Sequence, residues 1–199
     1  MHIEEYRTLF VGGSLILMLV AVAPTLSLFL RIPSGSERFS ELWLLGPAHT
    51  AENYPFNVSV NEEYNLFVGV GNHLGSSSYY MVYVKFRNQT QQLPNSTTSE
   101  PSSLPPLNEF RFVLTDGEVW EAPLTFTIEN VLLQQNLSIV QNISINSIVF
   151  PVNYTSTWDS ERNGFYYQMF FELWLYSTTS NSFQYHNRFV GIWLNMTDS

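Results

Sequence analysis

Oxygen-bearing side chains alternate at Asp159, Glu161 and Asn163, with Gly164 sixth in the segment, which is how a calcium loop begins. Calcium takes roughly six to eight oxygens, and the place of the closing bidentate glutamate is held here by Phe170. A tight turn into the aromatic segment that follows explains the same residues, and that reading is kept. The carboxylates Asp116, Glu118, Glu121, Asp159, Glu161 and Glu172 could supply a pair for glycoside hydrolysis. Spatial separation, not sequence spacing, defines such a pair, so a glycoside-active enzyme stands as a remote alternative. His2, His49, His73 and His186 are scattered without the i, i+2 or i, i+4 spacing that converges on zinc. Cysteine is absent, which removes disulfides, thiolate metal sites and a thiol nucleophile together. No Gly-x-Ser-x-Gly elbow or phosphate-cradling glycine loop occurs, and the expectation is a non-enzyme without metal or cofactor.

The aromatic residues are more telling. From Phe165, one face of an extended segment carries Phe165, Tyr167, Met169, Phe171, Leu173 and Leu175. The other carries Tyr166, Phe170, Trp174 and Tyr176 around Gln168 and Glu172. One face fills a sandwich core, and the second needs a cover or a partner. Tyr79, Met81, Tyr83 and Trp193 fall on similar second faces. Tyr and Trp bring large area at low entropic cost to interfaces and sugar platforms. The expected partner-interface set is therefore Tyr79, Met81, Tyr83, Phe170, Trp174, Tyr176 and Trp193.

The elements that position these residues repeat with period two. Leu66, Val68 and Val70 share one face, as do Tyr80, Val82, Val84 and Phe86. Between them His73-Leu74-Gly75-Ser76-Ser77-Ser78 supplies turn chemistry, which predicts a hairpin. Further strands are expected over 39–45, 56–60, 110–114, 124–128, 143–150, 165–176 and 188–194, with turns at 115–118 and 159–164. Short strands punctuated by Gly, Pro and Asn, without a second amphipathic helix, indicate a mainly β fold, an antiparallel Ig-like or adhesin-like β-sandwich. The Ser/Thr/Pro-rich stretch 95–106 reads as a mobile loop open to O-glycosylation.

Residues 9–30 form an uncharged apolar run that would rise roughly 33 Å as a helix, enough for one transmembrane crossing. The small residues Ala21-Val22-Ala23 imitate a signal-peptide cleavage site. Pro24 directly after it, the apolar continuation to Leu30, and Glu4 and Glu5 ahead of the run favour a retained anchor. The expected organisation is a short flank 1–8, a transmembrane helix 9–30, a stalk 31–38 and an extracellular β-sandwich 39–199. Charge bias, with Arg7 on one side and Arg31 and Arg38 on the other, points weakly toward a cytoplasmic C-terminal segment. Seven N-glycosylation triplets, at Asn57, Asn88, Asn95, Asn136, Asn142, Asn153 and Asn195, point outward, and the cell membrane with an extracellular domain is the expected location.

Charged residues make up 13% of the chain, against about 25% in ordinary soluble domains. A surface of Ser, Thr, Asn, Gln and Tyr keeps its hydration as pH falls, which points to an acidic exterior; the alternative is a neutral-pH glycoprotein whose sugars replace charges as solubilisers. A net charge of −9 leaves no basic stripe for nucleic acid.

The blocks Glu37-Arg38-Phe39-Ser40-Glu41-Leu42-Trp43-Leu44-Leu45-Gly46-Pro47, Ala51 through Val60, Phe67-Val68-Gly69-Val70-Gly71-Asn72-His73, and Asp116 through Phe126 carry a further signal. Together they resemble a functionally uncharacterised archaeal membrane-protein family. That resemblance implies several membrane helices followed by an extracellular Ig-like domain, of which this sequence matches the last helix and the domain. It brings no catalytic residues. The combined expectation is a non-catalytic, single-pass, N-glycosylated subunit of an envelope or membrane assembly. The alternative is a module binding glycans or surface polymers on exposed aromatics.

Overall fold

The computed structural model describes residues 3–30 and 37–196, with the side chains of residues 6, 7 and 10–22 in its one helix. In chain order the elements are α1 (Ile3–Leu30), β1 (Phe39–Leu45), β2 (Asn57–Val58), β3 (Glu63–His73), β4 (Ser78–Asn88) and β5 (Asn108–Leu114). They continue with β6 (Val119–Gln134), β7 (Leu137–Ile145), β8 (Ile148–Thr157), β9 (Phe165–Ser177) and β10 (Ser182–Met196). Two compact units result, Met1–Arg38 and Phe39–Ser199.

In the first unit the apolar run does form helix. Leu15, Ile16, Leu17, Met18, Leu19 and Val20 are all more than half exposed, and six consecutive positions cover the whole helical circumference. Ser14 satisfies its hydroxyl internally, donating to the Phe10 carbonyl at 2.8 Å. The expected crossing over 9–30 needs one correction: among the described residues no helix is long and apolar enough to cross a membrane. Of the expected stalk, residues 31–36 lie outside the described residues.

The second unit is the expected sandwich of two five-stranded sheets, ordered β1-β3-β6-β7-β8 and β2-β10-β9-β4-β5. All pairs are antiparallel except the short parallel contact of β2 with β10. Leu66, Val68 and Val70 of β3 are fully buried in one core with Tyr80, Val82 and Val84 of β4.

That packing overturns the expected hairpin. β3 pairs with β1 and β6, whereas β4 pairs with β5 and β9 in the other sheet. A hairpin would set both apolar rows side by side on one sheet face. An arch over residues 74–77 makes them face each other, so each row buries the other. Asn72, fully buried, holds this arch and the neighbouring one between β5 and β6. Its Nδ2 donates to the carbonyls of Ser76 (2.8 Å), Leu114 (3.0 Å) and Thr115 (3.1 Å), and its Oδ1 accepts from the Leu74 N–H at 3.1 Å. Its main chain bonds Gly117 and Glu118 at 2.7 and 3.0 Å.

Three further expectations change. The strand expected over 143–150 is broken by a two-residue turn, Asn146-Ser147, with φ of 48° and 67°, the left-handed pair that tight hairpins require. The strand expected over 56–60 shortens to Asn57–Val58. The loop 95–106, expected only as an open Ser/Thr/Pro stretch, makes defined contacts: Asn95 and Glu100 bond each other's main chains at 2.9 and 3.1 Å, and Ser102 is only 7% exposed.

Asn72→Asp preserves shape but turns an oxygen toward three carbonyls. It is expected to destabilise the sandwich by more than about 3 kcal/mol in denaturant unfolding, well beyond the cost of a surface substitution.

Candidate functional site

The outer face of the second sheet gathers most of the expected interface residues. Register places Met81, Tyr83, Lys85 and Arg87 of β4 beside Trp174, Glu172, Phe170 and Gln168 of β9, and the Tyr79 ring meets that of Tyr176. β10 adds Phe183 and Tyr185 opposite Tyr176 and Trp174, and Trp193 opposite Gln168.

At the centre of this face lies an ion pair. Lys85, the only lysine in the chain, sets Nζ 2.9 Å from Glu172 Oε2, with side-chain exposures of 4% and 0%. The loop over β9 completes the coordination. Ser102 accepts from Lys85 Nζ through its carbonyl at 2.8 Å, and its N–H donates to Glu172 Oε1 at 2.8 Å. Trp174 Nε1–H donates to Glu172 Oε2 at 3.1 Å. Nearby, burial and the Glu172 carboxylate push the Tyr185 hydroxyl up to about 12. The sequence singled out neither Lys85 nor a structural role for the loop. The available signal was a lone lysine and a lone glutamate on adjacent aromatic strands.

This cover divides the expected interface set. Met81 (2% exposed) and Phe170 (0%) are buried within the chain and cannot meet a partner without rearrangement. Gly191 has no side chain to hold Phe170 away: a Cβ there would lie 2.8 Å from the Phe170 Cβ. Tyr83 and Trp174 are half-buried and meet edge to face at 5.4 Å. Trp193 remains exposed, with the Arg87 guanidinium 5.1 Å from its ring. Beyond the loop, exposed Tyr79 and half-buried Tyr176 and Phe183 form a triad with centroid separations of 4.9, 5.4 and 5.9 Å. Phe183, which the sequence did not single out, stands at its middle, with the Arg111 guanidinium 5.6 Å away.

A second polar chain lies between the sheets. Tyr80 Oη donates to Asn72 Oδ1 at 3.0 Å, so at 2.7 Å it receives the Ser40 hydroxyl proton. Ser40 Oγ therefore accepts at 3.0 Å from His186 Nε2, which fixes the proton on that nitrogen. Burial, and secondarily Arg188, hold His186 below the usual histidine range.

The remaining candidates are dispersed. Asp159 Oδ1 accepts from the N–H groups of Glu161 and Arg162 at 3.0 and 3.1 Å, as a turn requires, and Asn163 takes φ of 54°. Asp116 caps the Gly75 N–H at 2.7 Å, Glu118 holds Thr115, and Glu121 meets His49 at 3.0 Å. Accepting two bonds from Thr115 lowers the Glu118 carboxyl. Among the glycosylation candidates, Asn57, Asn95, Asn136 and Asn153 are exposed, while Asn88 and Asn142 are half-buried. Asn88 Nδ2 donates to the Thr155 carbonyl at 2.8 Å. Asn195 is 8% exposed and donates to Asn57 Oδ1 at 3.1 Å, so a glycan there would have to open the strand end.

Removing one partner of the ion pair leaves a charge in an apolar site. Lys85→Met is expected to cost about 3–5 kcal/mol in chemical denaturation, and Lys85→Met with Glu172→Leu to recover most of it. A depressed histidine binds its proton more readily when unfolded, so stability falls with pH through the unfolded value near 6.5. His186→Gln should flatten the melting-temperature profile between about pH 7 and 5.

The model of the family described as Domain of unknown function (DUF1616) matches residues 33–140. No curated protein matches the chain. Among solved structures, a β-glucosidase from Listeria innocua in complex with isofagomine is 10% identical, at a TM-score of 0.38. The match covers 82% of this chain and 17% of that enzyme, so the chain spans less than a fifth of its length. A CARDB domain from Pyrococcus furiosus, in complex with di-metal ions, is also 10% identical, at a TM-score of 0.37 over 80% of this chain and 90% of that one. At this level neither likeness lends the chain an activity.

Proposed function

The chain belongs to the DUF1616 family, and we propose that it is a non-catalytic, membrane-anchored subunit whose N-glycosylated extracellular sandwich packs against a neighbouring protein. The observation that carries this reading is the triad Tyr79–Tyr176–Phe183. Three aromatic rings gather there, Tyr79 exposed and Tyr176 and Phe183 half-buried, beside a stretch of the same face where the chain covers its own aromatics with a loop. The Phe183 ring meets Tyr79 at 61° and Tyr176 at 73°. Rings packed edge to face make a knobbed surface for side chains, whereas sugar stacking needs a flat ring face. Packing against protein is therefore favoured over glycan contact at this face.

Association with a membrane is supported by the uncharged run 9–30 and by the described part of α1, where Leu15 to Val20 expose apolar side chains around the full circumference; it rests on that apolar surface and not on a crossing. Water penalises that arrangement and hydrocarbon does not. The outward direction rests on the glycosylation triplets, of which four present exposed asparagines.

Cross-linking of the full chain in native membranes, read by mass spectrometry, is expected to join β4 or β10 to one recurrent companion. Tyr79→Ala should shorten that complex's lifetime at least about tenfold while costing about 1 kcal/mol of fold stability. An unchanged lifetime, or a monomer in mild detergent, would refute the packing role. Protease added to intact cells should digest the sandwich, and its survival would refute the topology.

A further inference from the structure

The unpaired main chain of an edge strand is a template for another strand, and folded proteins blunt such edges. Three of the four edges of this sandwich are blunted. β8 carries Pro151, which has no N–H to offer, and Asn153 at φ of 52°. β5 carries the Glu109–Arg111 ion pair at 2.8 Å. β1 is seven residues long, and the Tyr54 hydroxyl caps its Leu44 carbonyl at 2.7 Å.

The fourth edge is open. β2 covers β10 only at Asn195 and Met196, where the Asn195 N–H donates to the Phe56 carbonyl at 2.6 Å. β10 runs without irregularity from Arg188 to Met196, so the main-chain N–H and C=O of Phe189, Gly191 and Trp193 point to the same side as those of Asn195. Among the described residues they meet no main-chain partner on that side. Ahead of β2 the chain leaves this line, with Asn53 at φ of 56° and Tyr54 turned to β1. The space left is a cavity of about 520 Å³ lined by Leu44, Tyr54, Pro55, Phe56, Val190 and Ile192. Leu44 and Ile192 belong to the core, and Tyr54 and Val190 pack against it, so this cavity lies on the core side of β10. We propose that the β10 edge from Arg188 to Trp193 takes an added β-strand from a partner protein.

The chemistry of the occupant follows from that edge. An added strand pairs its main chain with Phe189, Gly191 and Trp193 and turns alternate side chains toward the sandwich, where the cavity beside Ile192 takes an apolar one. β2 holds to the same edge in the same way, over two residues. The open stretch rises about 20 Å, enough for about six residues of a visiting segment. Two copies pairing β10 on β10 would each drive that long strand into the other's β2, which favours a short segment of a different chain. The Tyr79 triad takes no part here, so the packing face and this edge can fail separately.

The test uses the full, isotope-labelled chain in mild detergent, with short peptides alternating serine with valine or serine with phenylalanine. At millimolar concentration at least one should slow amide exchange of Phe189, Gly191 and Trp193 at least about tenfold. The same peptide N-methylated along its main chain should not bind. Phe189→Pro repeats on β10 what Pro151 does on β8 and should weaken binding at least about tenfold, while Tyr79→Ala should leave it intact. If Phe189→Pro unfolds the sandwich, the N-methylated peptide decides on the unaltered chain. No protection by either peptide up to about 5 mM would overturn the proposal, as would equal binding of the N-methylated peptide or protection confined to residues outside β10.

Discussion

Two crossings of the chain between the sheets meet at one buried amide. Asn72 bonds carbonyls in the arch after β3 and in the turn after β5, and through Tyr80, Ser40 and His186 it reaches the far strand β10. A core of aliphatic and aromatic side chains tolerates sliding of one sheet over the other, because hydrophobic burial is non-directional. Directional bonds from one side chain to two crossings remove that freedom. They also satisfy carbonyls that the crossings would otherwise bury without a partner. The register of the sandwich, and with it both outer faces, follows from this node.

The second sheet's outer face meets a different demand. Its central strands are aromatic on both sides, so one layer of core does not cover them. The chain folds the loop before β5 across that face and pins it at Ser102 to an ion pair. An ion pair is a weak source of net stability when buried, because desolvation offsets most of the attraction. Its value here is positional: only a main-chain donor and acceptor at the right place complete it. The loop is thereby held in one seat on a surface that apolar contact alone would let it cross in several ways.

These relations explain what was legible in the sequence. Period-two rows such as Leu66-Val68-Val70 gave the strands and their buried faces, and turn residues gave most of the breaks. Pairing was less visible. A row of apolar residues followed by turn chemistry and a second row fits a hairpin and an arch equally, and the choice depends on Asn72, whose partners lie some forty residues away. The two-residue turn at Asn146-Ser147 hid inside an apolar run because neither residue is glycine, although both adopt positive φ. The loop 95–106 looked mobile because its composition has nothing apolar to bury. What holds it is main-chain hydrogen bonding to Lys85 and Glu172, to which composition is blind. Of the aromatic set, Tyr79 and Trp193 are exposed, whereas Met81 and Phe170 are buried by contacts no local pattern encodes.

The segments on which the family resemblance rests also gather in space. β1, β3 and the start of β6 lie side by side in the first sheet. On its outer side Trp43 and Glu41 lie over Gly69 and Gly71, and His49 stacks on Phe67 at 3.5 Å while meeting Glu121. None of these contacts is needed to fill the core, which the opposite side chains of the same strands already do. Alternating glycines weaken a strand, so a strand carrying two beneath an indole and a carboxylate gives up local propensity to lay those groups flat. A charge-poor exterior gains nothing from that arrangement by itself. Its consequence is a fixed aromatic and acidic wall on the outer side of the first sheet, held by the bare backbone beneath it.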